Sequence, residues 1–569
     1  MNKSLKKCVN LVIINLTHTM LWGIVMASTS TKKWWKNAIV YQIYPRSFCD
    51  SNGDGIGDIP GIISKLHYLK ELGIDAIWLS PVYRSPGYDN GYDISDYKDI
   101  NPEFGTMEDM ERLISRAKRL GIKIIMDLVI NHTSDEHEWF QKALAGDDKY
   151  RNYYYFREGV GSSYPNNWGS FFGGRAWSKT EKGDYYLHLF SKKQPDLNWQ
   201  NPDVFDAITD IMRFWLDKGV AGFRCDVINI IYKESLENGK KHFALTGREH
   251  YLNTEGCHEL LKRFNEEVWS KYKTFIVGET VFVTPDDAKL LSDENRKELD
   301  AVFFFEHMDV DNYGIKWFKK GFNPSKLIKV LDKWQNALEV PANYLENHDQ
   351  VRSINHFGNV GKYWEKSAKL LCGLNLSLRG VPFIYEGEEI GMTNGDFKGL
   401  KELKDIESFN INQSLKKMLL VHSIRRKLIL QTTRDNARTP VQWDASDNAG
   451  FTTGTPWLKV NANKSFINVE TELRDENSIL NFYKSMIEFR KNSEALQDGN
   501  YRRVASPSDV YIFTRESTHE RLYIYCNLSN FNKAVEFYGD NIIFSNYEEA
   551  ERENFFLKPY EFRIVAANI

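Results

Sequence analysis

Gly222-Phe-Arg-Cys-Asp-Val227 reads as a short apolar strand that ends on a carboxylate. Three more acids stand in comparable places: Glu279 ends Ile276-Val-Gly-Glu279, Asp349 lies in Glu346-Asn-His-Asp349-Gln350, and Asp127 lies within Ile124-Ile-Met-Asp-Leu-Val-Ile-Asn-His132. A charged group at the end of a buried strand is costly unless it has partners. Any one of these acids can be read as the cap of the following helix. Four of them together, with Arg224, His132 and His348 beside them as charge compensation, point to chemistry at one shared mouth.

Outward from these strings, strands alternate with amphipathic helices. Ile39-Val-Tyr-Gln-Ile-Tyr44 and Ala76-Ile-Trp-Leu79 read as strands, with Ile62, Leu66, Leu69 and Leu72 at helical spacing between them. Met110, Leu113, Ile114 and Leu120 mark the next helix, before the strand that carries Asp127. Further strands are expected at Ala301-Val-Phe-Phe-Phe305, Ala342-Asn-Tyr-Leu345 and Val381-Pro-Phe-Ile-Tyr385. The rhythm predicts a parallel α/β sheet, and the count suits a (β/α)8 barrel, with a doubly wound sheet as the alternative. Between residues 133 and 199 the chain is rich in Tyr, Trp, Gly, Asn and Ser and loses its period. A long excursion of this kind in an enzyme is usually functional. After about residue 498 the pattern turns to alternating β runs, which predict a small antiparallel domain.

The bulk properties exclude several classes. The 569 residues, 42% hydrophobic, are ample for more than one domain, and a formal net charge of −3 gives no footprint for nucleic acid. Six cysteines show neither metal spacing nor a disulfide framework. Cys225 points to the strand face opposite Asp226, so it packs and does not act as a nucleophile. The N-terminus has Lys3, Lys6 and Lys7 before Leu11-Val-Ile-Ile-Asn-Leu16, and Val25-Met-Ala27 fits a cleavage site. Asn10, Asn15, Thr17, His18 and Thr19 interrupt the apolar stretch, so no stable membrane span is expected. Two readings stay open: a signal peptide over residues 1–27 with secretion, or a start at Met20 or Met26 and a cytoplasmic protein. The second is preferred.

Asp50-Ser-Asn-Gly-Asp-Gly-Ile-Gly-Asp58 places oxygen donors at alternating positions, with Gly55 for a sharp turn. That matches the first part of a calcium loop, without the bidentate Glu of an EF-hand. The competing reading is a polar turn held by Asx hydrogen bonds. Mutual repulsion of the aspartates favours the cation.

These strings, with Tyr44-Pro-Arg-Ser-Phe48, Asp89-Asn-Gly-Tyr-Asp-Ile-Ser-Asp-Tyr97, Gln194-Pro-Asp-Leu-Asn-Trp199 and Arg434-Asp-Asn-Ala-Arg-Thr-Pro-Val-Gln-Trp443, resemble the α-amylase superfamily of glycoside hydrolases, within it the oligo-1,6-glucosidase and α-glucosidase branch. The resemblance runs from Trp34 to the C-terminus. It implies a barrel over residues 34–132 and 200–498, an inserted B domain over 133–199 and a C-terminal β domain over 499–569, behind an extension over 1–33. It implies a retaining mechanism, with Asp226 as nucleophile, Glu279 as general acid and Asp349 gripping the ring hydroxyls. Asp89 and Arg438 would bind the non-reducing end, Tyr92 would stack, His132 and His348 would donate to hydroxyls, Arg224 would orient Asp226, and Phe190 and Gln194 would wall a closed, exo-acting pocket. Asp50, Asn52, Asp54, Asp58 and the Ile56 carbonyl would bind structural calcium, with magnesium as the alternative.

Val227, after the nucleophile, resembles the α-1,6-preferring type. Thr280 and Glu386 depart from the family pattern, where Met and Gln are expected; Thr280 is placed to reshape the leaving-group site. The expected activity is release of terminal α-1,6-linked glucose from short oligosaccharides by a monomer. The rivals are an α-1,4-glucosidase, a sucrose isomerase or transglucosidase (whose Arg-rich loop is replaced here by Met308-Asp-Val-Asp-Asn-Tyr313), and a non-enzymatic transporter heavy chain.

Overall fold

The computed structural model describes residues 33–161, 163–242, 245–548 and 555–568. The expectations for the N-terminal extension fall almost entirely outside these residues. Eight strands form the central sheet: β1 (Val40–Ile43), β2 (Ala76–Leu79), β3 (Lys123–Leu128), β4 (Gly222–Cys225), β5 (Phe275–Glu279), β6 (Ala301–Phe303), β7 (Ala342–Asn343) and β8 (Val381–Tyr385). Their order is β6-β5-β4-β3-β2-β1-β8-β7, and every neighbouring pair is parallel. This is the cyclic order of an eight-stranded barrel cut between β6 and β7, and it removes the doubly wound alternative. Side chains close the cut: the Phe303 and Tyr344 rings meet edge to face at 5.4 Å, and the Tyr344 hydroxyl donates to the Phe304 carbonyl at 2.9 Å.

Local sequence explains the crossovers. The helix Met107–Arg119 starts at a Thr106/Asp109 capping box and buries Met110, Leu113, Ile114 and Ala117, one stripe at 3.6-residue period. Asn201 caps the helix Pro202–Asp217, which opens with proline and buries Val204, Ile208, Ile211, Met212 and Trp215. The single helix expected from Ile62 to Leu72 is two, Ile59–Ser64 and Leu66–Leu72, broken at Lys65.

Glycine is required where β4 meets β5. Gly222 has φ +150°, and a β-carbon there would lie 1.9 Å from the Phe275 carbonyl oxygen. The close approach sets the register Val277 to Arg224 and Gly278 to Cys225, which brings the ends of β4 and β5 together.

The excursion between β3 and β4 carries the helices Glu138–Ala145 and Asp148–Arg151 and a three-stranded antiparallel sheet of Phe156–Arg157, Tyr185–Leu187 and Trp177–Lys179. Its aromatic composition has a packing reason. Tyr155, Trp168, Trp177, Leu187 and Leu189 share one core with Val227, Ile230 and Tyr251, the loop that follows β4. A buried ion pair, Lys233 to Asp196 at 2.7 Å, joins the same two segments. After Asp498 a five-stranded antiparallel sheet runs in the order Asn500–Val504, Val510–Glu516, Arg521–Asn527, Phe562–Ala567, Asn541–Ser545. Residues Asn37–Ile569 make one compact unit.

Candidate active site

Arg224 organises the mouth of the barrel. Arg224 and Asp226 are two apart, so they share the inward face, while Cys225 is buried on the other side. The Arg224 Nη1 donates to Asp127 Oδ1 at 2.8 Å and to Asp226 Oδ1 at 2.6 Å, and its Nη2 lies 2.6 Å from Glu279 Oε2. Three carboxylates from β3, the end of β4 and β5 thus converge on one guanidinium. Asp127 is fully buried. It accepts further from Trp78 Nε1 (3.2 Å) and the Tyr92 hydroxyl (3.1 Å), which makes it the anchor of Arg224 and closes it to substrate.

Asp226 and Glu279 are both nearly buried. Burial raises the Asp226 carboxyl well above its ordinary range; Arg224 opposes this, while Glu279 and Asp127 add to it. Val227 follows with φ +36°, a left-handed conformation that is unfavourable for a β-branched residue. This turn points the Val227 N–H at Glu279 Oε2, 3.3 Å away. Backbone strain of this kind is concentrated at functional sites.

Asp349 lies across the mouth. Its Oδ1 accepts from Arg438 Nη2 at 2.6 Å and Arg434 Nη1 at 3.2 Å, and its Oδ2 lies 3.2 Å from His348 Nε2. Burial pushes this carboxyl up, but His348, Arg434 and Arg438 together hold it well below the usual carboxylate range. His348 stacks on Tyr92 at 5.5 Å with rings 4° apart. Gln42 Nε2 donates to its Nδ1 (2.8 Å), which leaves the proton on Nε2, facing the Tyr92 hydroxyl at 2.8 Å.

Asp89 accepts from Gln194 Nε2 at 3.1 Å, and its arginine is Arg434, at 3.5 Å. Arg438, expected to bind the non-reducing end together with Asp89, donates to Asp349 and to the His348 carbonyl (2.7 Å). Arg434 also pairs with Asp405 at 2.8 Å and Glu407 at 3.6 Å, so it ties four acids together. Burial carries Asp89 up to about 6, against the pull of Arg434.

His132 does not supply charge. Burial carries it down to about 4, only partly opposed by Asp196, so the ring is neutral near pH 7. Its Nε2 donates to the Tyr92 carbonyl at 3.0 Å. Phe190 packs 5.3 Å from the His132 ring and stacks on Phe171 at 4.8 Å, so the insertion walls this side. Thr280 is buried, and its hydroxyl donates to the Phe303 carbonyl at 2.7 Å. Glu386 is buried, and its Oε2 accepts from the Tyr44 N–H at 2.8 Å. Burial raises it well above the ordinary carboxylate range, against the Tyr44 N–H and Arg352, which favours the neutral form at a position where glutamine is expected.

The 50–58 loop lies apart from these residues. Asp50 accepts from the N–H groups of Asn52 (2.9 Å), Gly53 (2.8 Å) and Gly55 (2.8 Å) and from the Thr452 hydroxyl. Asn52 accepts from the Asp54 N–H (2.9 Å), Asp54 from the Ile56 N–H (2.8 Å), and Asp58 from Gly61 (2.6 Å) as the cap of the next helix. These are Asx turns, the competing reading of this motif. Among the described residues no three Asp, Glu, His or Cys side chains stand together as a metal cluster. The same oxygens are hard donors of the kind calcium takes, but Asp50 Oδ1 already accepts from Asn52 and Gly53 and Oδ2 from Gly55 and Thr452, whereas Asp54 Oδ1 accepts one N–H and keeps a second lone pair.

The α-amylase catalytic domain matches residues 42–499. The oligo-1,6-glucosidase of Parageobacillus thermoglucosidasius is 48% identical over 555 residues, covering 93% of this chain and 98% of that enzyme. The crystal structure of Bacillus licheniformis trehalose-6-phosphate hydrolase aligns with a TM-score of 0.90 at 40% identity, over 95% of this chain and 100% of that one. Isomaltulose synthase from Erwinia rhapontici aligns with a TM-score of 0.91, also at 40% identity, over 95% and 100%. With the barrel order and the acids on Arg224 already in place, these matches make the chain a member of the α-amylase family of glycoside hydrolases.

Proposed function

We propose that the protein is a retaining, exo-acting α-glucosidase that removes terminal α-1,6-linked glucose from short oligosaccharides. One observation carries the reading: Asp226 and Glu279 reach opposite nitrogens of the same guanidinium, each at 2.6 Å. Retaining glycosidases need two carboxyls about 5–5.5 Å apart, one to attack and one to protonate. Asp226 attacks the anomeric carbon as the C–O bond breaks, and Glu279 gives its proton to the leaving oxygen. Glu279 then takes a proton from water, which attacks the glycosyl-enzyme and frees Asp226. Asp349, kept ionised by two arginines and His348, accepts ring hydroxyls and stabilises positive charge in the oxocarbenium-like state.

Support for exo-action comes from Asp89, Arg434, Gln194, His132 and Phe190, which contact one another and would wall one side of the site. Support for the 1,6 linkage comes from Val227 and from the oligo-1,6-glucosidases among the relatives. The isomerase reading lacks its Arg-rich loop. The transporter reading offers no reason for an intact acid set, and no helix among the described residues is long and apolar enough to cross a membrane. Asp50, Asn52, Asp54, Asp58 and the Ile56 carbonyl would hold calcium as a structural ion; thermal melting with calcium or chelator tests this, and no shift between them rejects it.

The test of the activity is product analysis with isomaltose, maltose, sucrose and trehalose side by side. Glucose from isomaltose, lost in both Asp226→Ala and Glu279→Gln, is expected. Trehalulose or isomaltulose from sucrose as the main product, or undiminished turnover in either variant, rejects the proposal.

A further inference from the structure

The helices Ile406–Lys417 and His422–Thr432 form a hairpin whose tip is both apolar and basic. Residues 408–433 contain no Asp or Glu, while Lys416, Lys417, Arg425, Arg426 and Lys427 give that stretch five positive charges in a chain of net charge −3. Among the described residues, Lys416, Lys417, Arg426 and Lys427 form no ion pair with a carboxylate. The turn exposes Met418 (62%), Leu419 (88%) and Val421 (58%), with Ile424 exposed beside them. The inner face is spent on packing: Leu415 and Ile429 are buried with Phe397, Leu403 and Leu458. The exposed apolar groups are therefore surplus to the core.

Leu419 adds an independent observation. It sits at φ +61°, where glycine or asparagine is favoured and leucine is strained. The turn thus accepts a strained backbone at the residue that is also its most exposed apolar side chain. Neither choice helps the folded chain by itself. A protruding apolar tip ringed by unpaired Lys and Arg has the chemistry of interfacial membrane binding. The apolar side chains enter the headgroup boundary, and the cations stay at its anionic surface.

We propose that this hairpin docks the enzyme on an anionic lipid surface. The tip inserts Met418, Leu419 and Val421, while Lys416, Lys417, Arg426 and Lys427 meet lipid phosphates. The docking is peripheral and reversible. The hairpin is bracketed by the ion-paired Asp405 and Arg434, so the docked surface lies on the rim side of the barrel.

The test is co-sedimentation of the full-length enzyme with vesicles. One set is phosphatidylcholine alone; the other has equal parts phosphatidylcholine and phosphatidylglycerol. Binding to the anionic set at low salt, released by high salt, is expected. Leu419→Asp combined with Val421→Asp should lower the bound fraction at least tenfold with p-nitrophenyl α-glucoside hydrolysis unchanged. Lys416→Glu combined with Lys417→Glu, which leaves the apolar tip intact, should do the same. Failure of the wild-type chain to sediment with anionic vesicles overturns the proposal, as does equal capture by both vesicle sets. A dimer in light scattering that Leu419→Asp dissociates also overturns it, because the tip would then be a face between two copies.

Discussion

Replacing Arg224 by methionine is the most informative perturbation of the site. Methionine keeps much of the stem and removes the cation. Three contacts go at once, at 2.8, 2.6 and 2.6 Å, to Asp127, Asp226 and Glu279. Breaking a buried ion pair from one side costs about 3–5 kcal/mol, because the remaining charge is left without a partner. A loss of about 4 kcal/mol from the transition state corresponds to about a thousandfold in kcat/KM. The pH dependence is the sharper readout. Asp226 already titrates above its ordinary value through burial, and Arg224 is the group opposing that rise. A unit-charge pair 4 Å apart at an effective dielectric of 20 is worth about 4 kcal/mol, or up to about three pH units. The acid limb of kcat/KM, which reports ionisation of the nucleophile, should move upward by about one to three units.

Stability should follow the same sign. A carboxyl whose folded value is raised destabilises progressively as pH climbs from the unfolded value toward the folded one. Without Arg224 that window extends upward, so the urea-measured deficit of the variant should be larger at pH 8 than at pH 5. The assays are kcat/KM on p-nitrophenyl α-glucoside across pH and urea unfolding at the two pH values. An unmoved acid limb with equal deficits at both would refute the reasoning.

Arg434→Ala should cost about 3–5 kcal/mol in urea unfolding at pH 7, because it leaves the buried Asp405 without its cation. Arg434 depresses Asp405, so this stabilisation is lost as pH falls through the acid range and the deficit should shrink there; a constant deficit would contradict the assignment. Asp89→Asn removes a carboxyl held at about 6, so from pH 4 to 6 the variant should gain on the wild type by up to about 3 kcal/mol in urea unfolding. Parallel stability curves would reject that. Val227→Ala or Val227→Thr should raise maltose cleavage relative to isomaltose in a paired rate assay, and an unchanged ratio would remove Val227 as the selector.

The strand ends were legible because an apolar run that closes on a carboxylate is a one-dimensional pattern. All eight barrel strands fall, to within one residue at either end, inside runs that the sequence marks as strands. The hidden features depend on pairing across the fold. Arg434 and Asp89 are 345 residues apart, and nothing local in the chain tells which arginine of Arg434-Asp-Asn-Ala-Arg438 faces which acid. The neutrality of His132 comes from burial under the insertion, which its neighbours in sequence do not reveal. The 50–58 loop shows the opposite ambiguity: oxygens at alternating positions serve Asx turns and cation ligation equally well, so spacing alone cannot separate the two.

The most direct test of the central claim is mass spectrometry of the enzyme incubated with 5-fluoro-α-glucosyl fluoride, which slows release of the covalent intermediate. The account predicts a fluoroglucosyl adduct on the peptide that contains Asp226, absent in Asp226→Asn. An adduct on another carboxylate would contradict it, as would rapid turnover with inverted product and no adduct at all.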